Sequence, residues 1–175
     1  MQWEGSRHKR FKDVYDEVYP IIFKVVYRIV GHQDIAEDVV QEAFIRYFER
    51  METIPDPDGA KYWLIRVSKN LALNYAKRKG RERRAYEKAA RQPRTPQTSS
   101  EVEMMKEQSS EAVQQALEQV PENLRMVLIL KEYGNLSYKE IGDILGITEG
   151  NVKVRAFRAR EKLSEILDKE DVYVP

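Results

Sequence analysis

The 175-residue sequence predicts an all-α protein: two small helical domains joined by a flexible linker, the C-terminal one carrying a helix-turn-helix. Three observations predict it. Apolar residues recur at spacings of three and four along most of the chain, the period of an amphipathic helix. The stretch RQPRTPQTSS, with no apolar residue, interrupts that pattern near the middle. In the final third, a short capped helix, a glycine and a longer basic helix follow one another.

Taken in order, Phe11, Val14, Tyr15, Val18, Ile22, Val25, Val26 and Ile29 place a first helix over 11–30, ended by Gly31. Asp34, with Glu37 three residues on, reads as the cap of a second helix whose core stripe is Ala36, Val39, Val40, Ala43, Phe44 and Tyr47. IPDPDG stops that helix at Met51, because each proline fixes its own φ and restricts the residue before it. Asp58 is then placed to cap a third helix with Leu64, Val67, Leu71 and Tyr75 as its apolar face. These helices make the first domain, 8–90. Residues 91–110 read as linker, and a second domain follows over 111–168. There Val113, Ala116, Leu117 and Val120 form a stripe ended by Pro121. Leu124, Val127, Leu128 and Leu130 form another, ended by Gly134.

Ser137 and Glu140 make an S-x-x-E capping box for a short helix, Tyr138 to Leu145. Gly146 suits a tight turn, and Thr148 caps a second helix reaching about Leu167. Gly142 is small enough for the two helices to cross closely. This second helix carries Lys153, Arg155, Arg158 and Arg160 near its front, the part that enters a major groove in such motifs. A plain helical hairpin with a charged face is the other reading of the same residues.

Composition narrows the function classes. The absence of cysteine excludes disulfides and thiolate metal or redox sites. The two histidines, His8 and His32, are not in ligand spacing, and there is no P-loop and no nucleophile–base set, so no enzyme, metal site or cofactor is expected. No apolar run is long enough to span a bilayer, which predicts a cytoplasmic chain with no membrane insertion. The net charge of +1 hides a sorting: residues 34–58 carry −6 and residues 66–91 carry +8. A basic block of that size points to phosphate. Within it, Trp63, Arg66, Asn70, Asn74 and Lys77 share one arc of the third helix, away from its apolar face. A ring, two amides and two cations suit a single strand, whose bases stack and whose phosphates need counter-charge; a half-buried packing tryptophan beside ordinary exposed asparagines is the other reading of the same residues. On the acidic helix, Asp38, Gln41, Glu42 and Ile45 lie off the core stripe, free to be solvated or to dock a basic protein.

The stretches DIAEDVVQEAFIRYF (34–48), YWLIRVSKNLALNYAKR (62–78) and VPENLRMVLILKEYGNLSYKEIGDILGITEGNVKVRAFRAREKL (120–163) resemble, in order and separation, the extracytoplasmic-function (ECF) class of bacterial sigma factors. These are two-domain promoter-recognition subunits of RNA polymerase. The resemblance implies that Asp38, Gln41 and Glu42 dock on core RNA polymerase. It implies that Asn70 and the loop from Ile54 to Ala60, Asp58 included, cradle a flipped-out base of the −10 element, with Trp63, Arg66, Asn74 and Lys77 beside the strand. Lys153, Arg155, Phe157 and Arg158 would read the −35 duplex. Promoter DNA and an anti-sigma factor join polymerase as implied partners. Two features depart from the family pattern: the proline-stiffened IPDPDG, and Val154 where a small hydroxyl residue is common. A free-standing helix-turn-helix regulator with an N-terminal sensor bundle is the alternative, and it leaves the Trp/Asn helix and the acidic face without a purpose.

Overall fold

The computed structural model describes residues 2–54, 56–88 and 101–169. Pro55, the first part of the predicted linker and the C-terminal EDVYVP lie outside the described residues. Seven α-helices are present among them: α1 Gln2–Val30, α2 Gln33–Arg50, α3 Pro57–Glu87, α4 Glu101–Gln119, α5 Glu122–Glu132, α6 Tyr138–Leu145 and α7 Glu149–Lys169. A single 3₁₀ turn, Met51–Thr53, follows α2. Packing divides the chain into Met1–Lys77 with Ile129–Ser137, and Arg78–Leu128 with Tyr138–Pro175, a grouping that crosses the composition-based boundaries.

In the first unit, α1 buries Val14, Val18, Ile22, Val25 and Val26, and α2 buries the whole predicted stripe, Ala36 to Tyr47. Burial of each large apolar side chain contributes about 1.5–3 kcal/mol. The start of α1 lies nine residues before Phe11, where apolar spacing alone placed it. Polar contacts secure the added turns: Arg7 Nη2 donates to the Phe48 carbonyl at 2.8 Å, and Arg10 Nη2 to the Met51 carbonyl at 3.0 Å. Gly31 ends α1 at φ 76°, a left-handed conformation that suits glycine.

Two predicted caps are corrected. The N-cap of α2 is His32, in extended backbone and with no side-chain cap bond, while Asp34 sits in the first turn, where its charge favours the helix dipole. The cap of α3 is Asp56 rather than Asp58. Its carboxylate accepts the Gly59 N–H and its carbonyl the Ala60 N–H at 2.9 Å. Pro57 then occupies the first helical position, where its missing N–H costs nothing.

The buried face of α3 is also turned from the expected one. Ala60, Leu64, Ile65, Ser68 and Ala72 are buried, whereas Val67, Leu71 and Tyr75 are half-buried. Lys69 is buried with them, and three of these six residues are small; an apolar count passes over Ser68.

In the second unit, Ala116, Val120 and Ile166 form one apolar cluster, and Leu117, Leu128 and Ala159 another, with Leu124 and Leu163 packed against both. Arg125 Nη1 donates to the Glu118 carbonyl at 3.2 Å, satisfying an open group at the end of α4. The beginning of α4, at Glu101, lies inside the predicted linker, because EVEMMKEQ consists largely of strong helix formers. The end of α5 groups with the first unit: there Gly134 N–H bonds the Leu130 carbonyl at 3.2 Å, and Asn135 takes the left-handed position at φ 50°.

The α6–α7 corner has the predicted construction. Thr148 Oγ1 accepts the Asn151 N–H at 3.2 Å, and Gly146 turns the chain at φ 68°. A Cβ on Gly142 would stand 2.7 Å from the Ile147 carbonyl, closer than such atoms approach. Gly142→Ala is therefore expected to destabilise the corner by about 1–3 kcal/mol. Urea unfolding of the full chain followed by circular dichroism checks it, and an unchanged midpoint would refute the close crossing.

Candidate nucleic-acid interface

The polar stripe of α3 lies on the side away from the buried residues. Arg66, Asn70, Asn74 and Lys77 are exposed. Trp63 is half-buried, its ring centroid 6.3 Å from that of Tyr47 and tilted by 49°, so one side of the indole is fixed by packing. Asp58 is exposed at the start of the helix. Ile54 and Ala60 behave differently from the expectation: they are 7% and 0% exposed, and their side chains are core. They shape the loop and leave only backbone to meet a base.

Lys69 was not singled out by sequence, yet it stands beside this stripe and is buried. Burial first, and the charge of Arg66 second, hold its ammonium below the ordinary lysine range. A cation so placed is favoured by an incoming phosphate, because the anion replaces lost hydration. Its position beside Arg66 and Asn70 marks it as a candidate, but only packing reveals its burial. Further along, Arg78 and Lys79 each lie near Glu82, at 4.0 and 3.7 Å, and these are exposed pairs of small energetic weight.

On α7, Val152, Ala156, Ala159 and Ile166 face the core. Lys153, Phe157 and Arg158 face solvent, with Phe157 63% exposed. Arg155 is half-buried at the edge of this surface, where its Nε donates to Asn151 Oδ1 at 3.0 Å. Lys153 Nζ meets Glu149 Oε1 at 2.9 Å, a contact that raises the lysine pKa and lowers that of the carboxyl. Val154 is 48% exposed amid these polar groups and was missing from the sequence-based set. Its position opposite Val152, Ala156 and Ala159 on the helical wheel is the signal that finds it. An exposed methyl pair can contact a thymine methyl in a groove.

The acidic face of α2 is exposed as expected at Asp38, Gln41 and Glu42, and Glu42 holds Arg46 at 2.6 Å. Ile45 projects among them, 55% exposed. Beside this face runs an open groove of about 740 Å³ lined by His8, Phe11, Tyr15, Tyr19, Phe44 and Phe48, with Glu37, Asp38, Gln41, Ile45 and Glu49. The sequence signal for it is the four-residue repeat Phe11, Tyr15, Tyr19, Phe23, Tyr27, whose successive rings lie 5.1–6.2 Å apart. An apolar floor with acidic neighbours suits a helix bearing both apolar and basic side chains. Among the described residues, no group of three or more His, Asp and Glu is arranged to hold a metal ion. No helix among them is long and apolar enough to cross a membrane.

Comparison with known proteins places these faces in a family. The model for "Sigma-70 region 2" matches residues 14–82, and that for "Sigma-70, region 4" matches residues 110–163. The first match spans the acidic face and the α3 stripe, and the second spans the helix-turn-helix. The ECF RNA polymerase sigma-E factor of Escherichia coli K12 is 32% identical over 134 residues, covering 72% of this chain and 70% of that protein. The RNA polymerase sigma-H factor of Pseudomonas aeruginosa is 30% identical over 149 residues, covering 75% and 72%. The fold is shared with the sigma factor RpoE of Bartonella quintana, solved in complex with the anti-sigma factor NepR. Its TM-score is 0.71 at 23% identity, over 91% of this chain and 98% of that one. CnrH, solved in complex with the cytosolic domain of CnrY, gives a TM-score of 0.70 at 20% identity, over 93% and 90%. With both sigma regions matched in order and relatives aligned across both, the chain belongs to the ECF family of RNA polymerase sigma factors.

Proposed function

We propose that this sigma factor divides promoter recognition among three helix faces. The outer face of α2, with Asp38, Gln41, Glu42 and Ile45, docks core RNA polymerase, and the adjoining aromatic groove extends that surface. The polar stripe of α3 receives the melted strand of the −10 element: Trp63 offers a stacking edge, Asn70 and Asn74 hydrogen-bond base edges, and Arg66, Lys69 and Lys77 neutralise phosphate. Asp58 and the backbone around Ile54 and Ala60 border the place of the flipped base. The exposed face of α7 reads the −35 duplex through Lys153, Val154, Phe157 and Arg158, with Arg155 at its edge. One observation carries this reading: on α3 the packed residues and the Arg66–Asn70–Asn74 stripe occupy opposite sides of the same helix.

The energetics follow from splitting the task. Each face makes few contacts, and phosphate contacts weaken steeply with salt. Mounted together on polymerase, the −35 and −10 faces bind as one divalent ligand, so the second contact forms at high effective concentration. Unstacking a base costs a few kcal/mol, offset by stacking and hydrogen bonds to the extruded base. Residues 8–90 form the docking and −10 domain, and 111–168 the −35 domain. The chain supplies no catalysis of its own and acts in the cytoplasm. Because the structural neighbour RpoE is solved with the anti-sigma factor NepR, an anti-sigma factor is the proposed regulator here. Run-off transcription with purified core polymerase on a promoter library tests the whole reading, and absence of promoter-specific transcripts would overturn it.

Four substitutions separate the faces. Ile45→Lys places a charge in the docking surface and is expected to lower affinity for core polymerase about tenfold or more, as measured by fluorescence anisotropy; unaltered affinity would remove α2 from the interface. Asn70→Ala should reduce permanganate reactivity in the −10 region about tenfold while leaving duplex binding intact. A footprint like that of the wild type would exclude Asn70 from the melted strand. On α7, Glu149→Gln frees Lys153 and should tighten −35 duplex binding of the holoenzyme by about two- to fivefold, whereas Arg158→Ala should weaken it. Equal gel-shift affinities for all three proteins would count against this face.

A further inference from the structure

The N-terminal turns of α1 hold the segment that leads into the α3 site. The turn Met51–Thr53 ends a run of helical hydrogen bonds, and such ends leave carbonyls without intrahelical partners. The Met51 carbonyl already accepts the Ile54 N–H at 3.3 Å; across this end Arg10 bridges two carbonyls. Its Nη2 donates to the Met51 carbonyl at 3.0 Å and also to the Ile54 carbonyl. One turn earlier in α1, Arg7 repeats the arrangement: Nη2 donates to the Phe48 carbonyl at 2.8 Å, Nε faces Glu52 at 3.6 Å, and the guanidinium lies 4.5 Å over the Phe48 ring.

These contacts fix Ile54 twice, its side chain by burial and its carbonyl by Arg10. Asp56 begins the cap of α3 two residues later. The chain is thus anchored on both sides of the bend that leads to the exposed Asp58. A guanidinium is suited to this task because a single Nη carries two N–H donors held in the plane of the group, enough for both carbonyls, and it stays charged at any working pH.

We propose that Arg10 is a positioning residue for −10 recognition: by gripping the Met51 and Ile54 carbonyls it sets the backbone beside which the flipped base is received. Arg10 acts through that backbone and not by meeting DNA. The proposal rests on the reading of the α3 face as the −10 site, and it extends that site to a helix some 40 residues earlier in the chain.

The test uses full-length wild type, Arg10→Gln and Arg10→Lys with core polymerase. Promoters carry single-base substitutions in the −10 or the −35 element, read by permanganate reactivity and transcript yield. Arg10→Gln should lose strand opening about tenfold, the scale of one charge-assisted hydrogen bond. It should also flatten discrimination among −10 bases, with −35 discrimination and core affinity unchanged. Arg10→Lys, which keeps the charge but not the planar guanidinium, should fall between. If Arg10→Gln melts below the assay temperature, Arg10→Lys alone decides. Wild-type opening and −10 discrimination in the soluble variants would overturn the proposal, as would an equal loss at −35, which marks general destabilisation. If wild type itself opens no promoter, the −10 reading of α3 fails instead.

Discussion

Three helices of the N-terminal unit meet at the ring of Tyr47. The residue is fully buried, with Phe11 of α1 stacked at 6.1 Å and Trp63 of α3 at 6.3 Å. Burial pushes its phenol pKa up, and the neighbouring Arg10 offsets part of that rise. With one side of each helix committed to this junction, the other side is left for partners. The acidic face of α2 and the Asn70 face of α3 are therefore two consequences of a single packing constraint. The same ring reaches Trp63, so the one aromatic group on the strand-facing side is positioned from within the core.

Much of this was legible in the sequence, and the limits follow physical lines. Local signals held: the α2 stripe, the Gly31 and Gly146 turns, and the Thr148 cap all depend on neighbours within one or two turns. Exposure of Arg66, Asn70, Asn74 and Lys77 was legible too, since residues at helical spacing define an arc whatever the partner helix is, while Trp63 is half-buried at its edge. Choices between two equally local options were missed. Asp34 and Asp58 each resemble a cap, but the chain enters α2 through His32 and α3 through Asp56. The exact buried phase of α3 was hidden because Ser68 is polar and Ala60 and Ala72 are small, so an apolar count gives them little weight. Lys69 was hidden for the same reason. Arg7 and Arg10 bond carbonyls about 40 residues away, and no spacing rule joins such positions.

Charge is managed at two scales. Along the chain, acid gathers near α2 and base near the end of α3, which gives each face its own class of partner. Within single turns, cations are paired with acids on the same helix: Arg46 with Glu42, Lys79 with Glu82, Lys153 with Glu149. These pairs are exposed and contribute little to stability. Their greater effect is on the surface field, which they moderate until a polyanion competes for the cations. Lys69 is the opposite case, a cation weakened by its own burial.

α3 runs from Pro57 to Glu87 as one helix, and its starting point is fixed by the Asp56 cap. A helix turns by about 100° per residue, so one residue inserted or deleted between that cap and Trp63 would rotate every later side chain by that angle. Asn70 would swing off the outer side toward the flank of the helix, and only one of Leu64 and Ile65 would keep a core-facing position. Substitutions along this interval can be absorbed one at a time, whereas a change in its length cannot. The distance from cap to site behaves as a count, and evolutionary drift in chain length must fall elsewhere.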